Sequence, residues 1–406
     1  MDDMHVKNMK KFLVPVGPNI KYKLTNSCWG KEEIKSLQNV INSGNFTLGK
    51  KVRQFETEFA NYHNKKYAIM VNSGSSANLA AVAALFFKKN NPLKKGDEVI
   101  VPALSWSTSY FPLQQYGLKC KFIDINKDSL NIDVDQMKKA ITKKTKLIMA
   151  VNILGNPCEI HEIKKICKQK NIYLFEDNCE SLDAEVNGKK AGTFGEIGTF
   201  SFFYSHHINA MEGGMIITDN KEIANLCLSI RAHGWTRHSF NTSVQKKNNL
   251  IEIYDFIYPG YNLKPLELSA ACGLEQLRKL PKMTETRRKN LKFFEELFGN
   301  DKRFIIQKQH GKSSSFSFPI ILKKESRFTR NKILKALKKS GIEYRMITGG
   351  CFTRHKVIKF FKNTEIYGSL ENANYAHDWG FCVGNQPNDI SKQLKYLKKV
   401  LDEALS

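Results

Sequence analysis

Residues 146–154, KLIMAVNIL, form a nearly continuous apolar run, and a second run, IYLFEDN, follows at residues 172–178. Continuous rather than alternating apolar character predicts strands that are buried on both faces, as in a parallel sheet covered by helices. Similar short runs separated by helical stretches occur between about residues 65 and 220: YAIMVNSG (67–74), DEVIVPAL (97–104), KCKFIDI (119–125), IGTFSFFYS (197–205) and GGMIITDN (213–220). We therefore predict an α/β fold with a mostly parallel central sheet and helices on both faces.

The pattern changes after about residue 284. A strand at 315–322, a helix at 330–341 and a final amphipathic helix at 389–405 predict a smaller α+β domain. We divide the chain into an N-terminal segment (1–48), a large domain (49–281) and a small C-terminal domain (282–406). A helix at 266–280, followed by a basic stretch, is expected to connect the two domains.

The composition of the 406 residues is typical of a globular protein except for a net charge of +25. Lysines occur in scattered pairs, such as Lys143-Lys144 and Lys338-Lys339, without one dense basic arm. This distribution predicts a solvated lysine-rich surface rather than a nucleic-acid or membrane-binding face, although an anionic substrate would benefit from the positive field. The N-terminus lacks the pattern of a signal peptide and the longest apolar run, Leu79 to Phe87, is too short to span a bilayer, so a cytoplasmic location is expected.

Cysteine spacing argues against a metal centre. The nine cysteines form no CxxC pair and no histidine cluster at zinc spacing accompanies them; they are Cys28, Cys120, Cys158, Cys167, Cys179, Cys227, Cys272, Cys351 and Cys382. We expect free, reduced thiols and neither a zinc site nor a cysteine-ligated iron-sulfur cluster.

A first candidate site lies in VNSGSSANLAAVAALFF (71–87), where a strand ends at Gly74-Ser75-Ser76 and a helix is expected to begin near Asn78. Backbone N–H groups and serine hydroxyls at a helix N-terminus are suited to binding a phosphate. Serine-glycine turns that only cap a helix are equally common, so this motif alone leaves both interpretations open.

A second candidate is Asp177, at the end of an apolar strand in IYLFEDNCESLDA (172–184). A buried carboxylate needs a partner, and in a pyridoxal-phosphate site the partner is the protonated pyridine nitrogen. The alternative is an aspartate that caps the following turn.

A third candidate is the pair His206-His207 in TFSFFYSHHINAMEGGMIITD (199–219). A histidine can serve as a catalytic base, but a histidine pair after a strand is more often a hydrogen-bonded structural feature.

Together these motifs resemble the fold-type-I, pyridoxal-phosphate-dependent sugar aminotransferases of the DegT/DnrJ/EryC/StrS type and their dehydratase relatives. The resemblance covers nearly the whole chain through WGKEEIKSLQNVINSGNFTLGKKVRQFETEFANYH (29–63), NSGSSANLAA (72–81), VPALSWSTS (101–109), NILGNP (152–157), FEDNCESLDA (175–184), GTFGEIGTFSFF (192–203), MEGGM (211–215), HGWTRH (233–238) and PGYNLKPLELSAACGLEQL (259–277).

The resemblance implies a set of cofactor-binding residues. Ser75 and Ser201 would bind the cofactor phosphate, and Gly74 and Ser76 would shape the cup around it. Asn262 would reach the phosphate in the neighbouring subunit, which makes the active site a property of a homodimer.

Three further residues would hold the pyridine ring. Trp106 would stack on it, with a core tryptophan as the alternative interpretation. Asp177 would pair with the ring nitrogen, and Glu180, where aminotransferases usually have glutamine, would bond the ring hydroxyl.

His206 occupies the position, five residues after Ser201, at which ordinary members of the family carry the lysine that binds the cofactor. Two dehydratase subgroups with histidine there make 3-deoxysugars. One acts on CDP-linked sugars, needs a partner reductase and binds an iron-sulfur cluster, largely through cysteines in the stretch after the MEGG motif. In this chain residues 233–259 contain no cysteine, which disfavours this subgroup. The other, which acts on GDP-4-keto-6-deoxymannose in colitose and O-antigen biosynthesis, is resembled more closely.

The chemistry of His206 follows from its side chain. Imidazole cannot form a stable imine with the cofactor aldehyde, so pyridoxal or pyridoxamine phosphate would be held noncovalently. With an ordinary pKa of about 6.5, His206 could act as the base in dehydration of a nucleotide-linked keto-sugar. The resemblance implies glutamate as the amino donor, and with such a donor no external reductase is required. A nucleotide-sugar aminotransferase and an inactive sugar-binding relative remain as alternatives.

Overall fold

The computed structural model describes residues 19–235, 254–324 and 329–406. The predicted α/β class is confirmed, because a large, mostly parallel sheet packs between helices and a smaller sheet follows near the C-terminus. Residues 1–18 of the predicted N-terminal segment and residues 236–238 of the HGWTRH motif lie outside the described residues.

The helices are α1 (Lys31–Ser43), α2 (Lys50–Tyr62), α3 (Gly74–Phe87), α4 (Phe111–Gln115), α5 (Val134–Ala140), α6 (Ile160–Lys170), α7 (Lys221–Ile230), α8 (Glu267–Phe298), α9 (Arg330–Lys339), α10 (Glu371–Trp379) and α11 (Ser391–Ala404). The strands are β1 (Tyr67–Val71), β2 (Glu98–Pro102), β3 (Lys119–Ile123), β4 (Thr145–Val151), β5 (Tyr173–Asp177), β6 (Glu185–Val186), β7 (Lys189–Lys190), β8 (Ile197–Ser201), β9 (Gly214–Thr218), β10 (Phe304–Ile306), β11 (Ser317–Leu322), β12 (Thr364–Ile366) and β13 (Gly380–Gly384).

The large sheet has the order β1-β9-β8-β5-β4-β2-β3-β12. Strand β9 runs antiparallel to both of its neighbours, and the other neighbouring pairs are parallel. The carboxyl ends of β4, β5 and β8 therefore meet at one edge, which is where ligands bind in sheets of this type.

The apolar run in β4 is buried on both faces, as predicted. Leu147 and Met149 belong to the core on one face, which includes the alanine-rich helix α3. Ile148 and Ala150 belong to a separate core on the other face, with residues of α5 and α6. The sheet is thus fixed from both sides, and its strand ends have a defined position.

Helix α8 is longer than the sequence analysis predicted. It continues through Pro281 to Phe298, whereas the prediction ended it at residue 280. A proline inside a helix removes one backbone hydrogen bond. Buried residues on the far side of the proline, including Phe294 and Phe298, stabilise the continuation by packing in the C-terminal core.

The predicted division of the chain at residue 281/282 falls inside α8 and remains a proposal about folding units. Contacts cross the proposed boundaries, and two examples show this. Tyr22 is fully buried in the C-terminal core, and its hydroxyl donates a hydrogen bond to the Gly384 carbonyl at 2.5 Å. Strand β12, from the C-terminal part of the chain, pairs in parallel with β3 at the edge of the large sheet.

Candidate active site

A cleft of about 1830 Å³, called the central cleft below, opens at the carboxyl ends of the parallel strands. Its lining includes the last residues of β4, β5 and β8, which are Val151, Asp177 and Ser201. Small-molecule sites usually measure roughly 300–1,000 Å³. The cleft therefore has room for a cofactor and a substrate together.

The first wall of the cleft is the N-terminus of α3. The helix begins at Gly74, earlier than the predicted start near Asn78, because the Ser73 hydroxyl accepts a hydrogen bond from the Ser76 backbone N–H at 3.1 Å. The Ser73 hydroxyl also donates to the Ser76 hydroxyl at 3.0 Å. Ser76 is thereby engaged in the cap and does not line the cleft, whereas Gly74 and Ser75 do.

Gly74 allows the helix N-terminus to approach Ser201 closely. A Cβ atom at position 74 would lie 2.5 Å from the Ser201 Cβ and 3.0 Å from the Cys179 Sγ. Because Gly74 has no side chain, Ser75, Ser201 and the first N–H groups of α3 can lie close together. This arrangement fits a phosphate group, which helix N-termini and hydroxyl donors bind.

Asp177 is a buried carboxylate, only 4% exposed, at the base of the cleft. One of its oxygens accepts hydrogen bonds from the Asn78 amide at 2.8 Å and the Ser109 hydroxyl at 2.7 Å. The other accepts one from the Cys179 N–H at 3.2 Å. The turn-capping alternative explains the Cys179 contact but not the other two.

No lysine, arginine or histidine among the described residues forms an ion pair with Asp177. Burial of an unpaired negative charge is costly. A protonated pyridine nitrogen would supply the missing positive charge, so this carboxylate fits the cofactor.

Glu180 lines the same cleft, and its carboxylate accepts a hydrogen bond from the Leu154 N–H at 3.1 Å. The pKa of Glu180 is raised to about 7; burial is the largest cause, the Leu154 N–H acts in the opposite direction, and the negative charge of Asp177 adds to the rise. Near neutral pH this side chain can therefore hold a proton and donate it in a hydrogen bond.

Trp106 also lines the cleft, and 57% of its side chain is exposed. The alternative interpretation of a core tryptophan is therefore wrong. A large indole ring at the wall of a ligand cleft is available to stack on a flat ligand.

The structure separates the two neighbouring histidines. His206 lines the cleft, and its ring packs edge-on against Phe316 with ring centroids 5.1 Å apart. His207 is buried outside the lining, with its Nε2 within 3.2 Å of the Ser314 carbonyl oxygen. The structural interpretation of the histidine pair therefore fits His207 and not His206.

The His206 imidazole is neutral at ordinary pH. Burial lowers its pKa to about 4, and the positive charges of Arg287 and Arg345 act in the same direction, against the nearby backbone acceptors. Its Nδ1 atom is buried and has no hydrogen-bond partner among the described residues. Because the residue lines the cleft, a neutral imidazole at this position can accept a proton from a bound ligand.

Asn262 does not join the other predicted site residues. It is exposed, does not line the cleft of its own chain, and its backbone forms a bridge with Ala232. Ile257 and Leu266, two large apolar side chains close to Asn262 in the sequence, are also exposed. Phe46 is exposed as well, and its neighbour Thr47 forms a backbone bridge with Leu266.

The sequence analysis missed Asn78 and Ser109, which hold the Asp177 carboxylate. Asn78 was detectable, because it is the one amide in the otherwise apolar segment ANLAAVAALFF. Ser109 had no comparable signal among the serines of SWSTS.

All nine cysteines are free thiols. Among the described residues, none of the helices combines the length and apolar character needed to cross a bilayer.

Comparison with known proteins places these features in context. The sequence model of the DegT/DnrJ/EryC1/StrS aminotransferase family matches residues 27–396. A relative from Yersinia pseudotuberculosis, named GDP-4-keto-6-deoxy-D-mannose 3-dehydratase, is 51% identical over 94% of this chain and 98% of its own length. An enzyme of the same name from Escherichia coli O55:H7 is 48% identical over 94% of this chain and all of its own length.

Two solved structures are similar throughout. A crystal structure of GDP-4-keto-6-deoxymannose-3-dehydratase, a histidine-to-asparagine variant with bound GDP-perosamine, superposes with a TM-score of 0.91 at 47% identity, covering 94% of this chain and 100% of the other. A second structure of that enzyme, with a trapped PLP-glutamate geminal diamine, gives a TM-score of 0.90 at 46% identity and the same coverage.

Proposed function

Because this chain belongs to the DegT/DnrJ/EryC1/StrS aminotransferase family, we propose that it is a pyridoxal-phosphate-dependent 3-dehydratase of GDP-4-keto-6-deoxymannose, with glutamate as the amino donor. The observation that carries the proposal is His206, a neutral imidazole that lines the central cleft. Relatives about half identical over almost the whole chain are named for this reaction.

The residues that would hold the cofactor fit its chemistry. Ser75, Ser201 and the α3 N-terminus would bind the phosphate, with Gly74 shaping the cup and Ser76 acting only through its contacts with Ser73 in the helix cap. For the ring, Asp177 would face the nitrogen, Glu180 the hydroxyl and Trp106 the flat surface. When bound, the cofactor supplies an amine for the sugar ketone and an aromatic ring that accepts electrons.

His206 would move protons without a covalent bond to the cofactor. As a neutral base it can accept the proton whose removal allows the sugar C3–O bond to break, and it can then protonate the departing hydroxyl as water. Oxidation of glutamate to 2-oxoglutarate and ammonia supplies the two electrons that replace the C3 hydroxyl by hydrogen. The reaction therefore balances without an external reductase.

An ordinary aminotransferase would need a lysine in place of His206. Lys189 and Lys190 lie in the short hairpin strand β7, and Lys190 forms an ion pair with Asp183 at 2.5 Å. Neither lysine lines the central cleft. The presence of both Asp177 and Ser201 in that cleft is also unexpected for a relative that has lost activity.

A homodimer with shared active sites is part of the proposal. The exposed side chains of Ile257 and Leu266 flank Asn262 in the sequence, and Phe46 is also exposed. Phe46 and Leu266 are brought together by a bridge between Thr47 and Leu266. Exposed apolar clusters of this kind mark protein interfaces. Association of two chains there would bury these side chains and bring Asn262 to the partner's phosphate site.

The product class suggests a place in polysaccharide biosynthesis. A 31% identical protein of Salmonella typhimurium is named a lipopolysaccharide biosynthesis protein. We propose that this enzyme contributes a cytoplasmic step of O-antigen assembly, with colitose as the final sugar.

The function is tested by incubating the protein with GDP-4-keto-6-deoxymannose, pyridoxal phosphate and glutamate. We expect a 3-deoxy sugar, 2-oxoglutarate and ammonia in equal amounts. The His206→Lys variant should attach the cofactor covalently, detected by mass spectrometry after borohydride reduction, and should lose dehydration. Keto-sugars linked to CDP, UDP and dTDP provide the comparison for nucleotide preference.

Formation of a 4-amino sugar by the wild-type protein would show an aminotransferase instead. Full dehydration by His206→Lys would mean that another residue is the base.

A further inference from the structure

Two chains of hydrogen bonds converge on one oxygen of the Asp177 carboxylate. In the first, the Thr199 hydroxyl donates to the Asn78 side-chain oxygen at 2.6 Å, and the Asn78 amide donates to Asp177 Oδ2 at 2.8 Å. In the second, Ser105 and Ser109 share a hydrogen bond at 2.9 Å, and the Ser109 hydroxyl donates to the same Oδ2 at 2.7 Å. The first chain comes from β8 and α3, and the second from the segment after β2.

The direction of each chain follows from the protons that its members carry. A serine hydroxyl has one proton, so Ser109, which donates to Asp177, accepts from Ser105. A reversed Asn78 amide would set its oxygen against the carboxylate, and two acceptors would then face each other without a proton. The second amide proton of Asn78 goes to the Thr108 carbonyl at 3.3 Å. Both chains therefore point donors at Asp177.

The members of this network are buried. The exposed fraction is between 0% and 4% for each of them, which are Asn78, Ser105, Ser109, Asp177 and Thr199. Hydrogen bonds are electrostatically stronger inside a protein than in water, and successive donors in a chain polarise one another. Hydrogen bonds donated to a carboxylate stabilise its ionised form. The network therefore favours the ionised form of the Asp177 side chain over the protonated form.

This preference decides where a proton lies when Asp177 faces a pyridine nitrogen. The proton can be held by the carboxylate or by the nitrogen. Donors that stabilise the ionised carboxylate leave the proton on the nitrogen, and a protonated ring is the better electron acceptor. Without these donors the buried carboxylate would take the proton and leave the ring neutral.

We propose that Asn78 and Ser109 are positioning residues that keep the ring nitrogen of the cofactor protonated by donating hydrogen bonds to Asp177, with Thr199 and Ser105 orienting the two donors. This inference deepens the proposed function and rests on one part of it, the pairing of Asp177 with the ring nitrogen. Asn78 and Ser109 act through the carboxylate and not through a contact with the cofactor.

The test measures how strongly the apoprotein distinguishes pyridoxal phosphate from its 1-deaza analogue, in which a C–H group replaces the ring nitrogen. Fluorescence titration gives both dissociation constants, and their ratio is called the nitrogen preference below. The wild type should bind pyridoxal phosphate more tightly. Asn78→Leu and Ser109→Ala should each lower the nitrogen preference roughly tenfold, because each removes one hydrogen bond to the charged carboxylate. A merely structural role would weaken the binding of both compounds equally and leave the ratio unchanged.

Solid-state ¹⁵N NMR of protein loaded with ring-labelled pyridoxal phosphate locates the proton directly. The wild-type signal should lie at the position of a protonated pyridine. The signals of Asn78→Leu and Ser109→Ala should move toward the position of an unprotonated ring. Thr199→Val removes the hydroxyl that orients Asn78 and should cause a smaller movement in the same direction. Thr199→Ser keeps that hydroxyl and should give the wild-type signal.

Matched variants separate this role from folding. Asn290→Leu makes the same substitution at a buried asparagine whose amide donates to two backbone carbonyls after β13. It should lower the unfolding temperature and leave the nitrogen preference unchanged. Asp177→Ala removes the carboxylate itself and should abolish the preference. Ser109→Ala removes a single oxygen atom and keeps the test decisive if Asn78→Leu does not fold.

An unchanged nitrogen preference and an unchanged ¹⁵N signal in both Asn78→Leu and Ser109→Ala would overturn the inference. A full nitrogen preference in Asp177→Ala would overturn the pairing and the inference with it. None of these measurements uses a sugar. A wild type with the expected nitrogen preference but without dehydration would therefore contradict the proposed function and still support the role of the network.

Discussion

His206 and His63 both have a lowered pKa, but the consequences differ at the two positions. Burial lowers the pKa of both to about 4. His63, however, lies in the core, where its ring stacks on Phe59 with centroids 4.3 Å apart. A lowered pKa therefore does not identify a catalytic base by itself. The position of His206 in the lining of the cleft makes that assignment.

The core position of His63 predicts a pH dependence of stability. Its pKa is about 4 in the folded chain and about 6.5 when unfolded, so between these values the unfolded chain binds more protons. The contribution of neutral His63 to the free energy of unfolding is fully present above pH 6.5 and is lost as the pH falls toward 4. The wild type should therefore lose unfolding free energy between pH 7.5 and pH 4.5. Replacement of His63 by phenylalanine should make that loss smaller by about 2–3 kcal/mol.

Urea unfolding of His63→Phe and wild type at both pH values measures this difference. His161→Phe, at an exposed position, is the matched control and should retain the wild-type pH dependence. An unchanged pH dependence in His63→Phe would show that His63 is not held neutral by burial.

At the scale of elements, the contact between the α3 N-terminus and β8 controls the proposed phosphate site. A Cβ on Gly74 would collide with the Ser201 side chain, so Gly74→Ala should push the helix and the strand apart. We expect at least a tenfold weaker affinity for pyridoxal phosphate, because one displaced hydrogen bond to a charged group is worth about 1.5–3 kcal/mol. Fluorescence titration of the apoprotein with pyridoxal phosphate measures this affinity.

A control is needed because any glycine substitution can reduce stability. Gly44, at the end of α1, has a φ of 68° and no atoms within 4 Å of an added Cβ. Gly44→Ala should lower the unfolding temperature without changing cofactor affinity. Equal affinities for Gly74→Ala and wild type would mean that the phosphate lies elsewhere.

The elements also show what sequence patterns can and cannot predict. The strand β4 was predictable because burial on both faces leaves a continuous apolar run. The extent of α8 was not, because local rules end a helix near Pro281 while the tertiary packing of Phe294 and Phe298 extends it. Strand β12 was also missed, since its short segment TEI joins β3 only after the chain has folded.

Site residues divide in the same way. Asp177 and His206 were found from their position relative to strands and from family resemblance, and the cleft brings them together. Ser109 gave no signal, because its hydrogen bond to Asp177 joins residues 68 positions apart and exists only in the folded chain. The Glu180 role remains a prediction that fits the raised pKa of its carboxyl.

At the scale of the whole molecule, the proposed role of Asn262 depends on a second chain. Asn262 is exposed and outside the cleft of its own chain. If it completes the partner's site, each active site of the dimer takes His206 from one chain and Asn262 from the other. Two defective variants should then complement each other within one dimer.

Coexpression of His206→Gln and Asn262→Ala chains with different affinity tags allows the mixed dimer to be purified. In a shared-site dimer one site carries both substitutions and the other carries neither, so about half of the wild-type dehydration rate should return. If Asn262 served its own chain, each site would carry one defect and activity would stay at the level of the single variants. Leu266→Asp places a charge among the exposed apolar side chains and should prevent dimer formation. Size-exclusion chromatography should then show monomers, and the dehydration assay should show no activity.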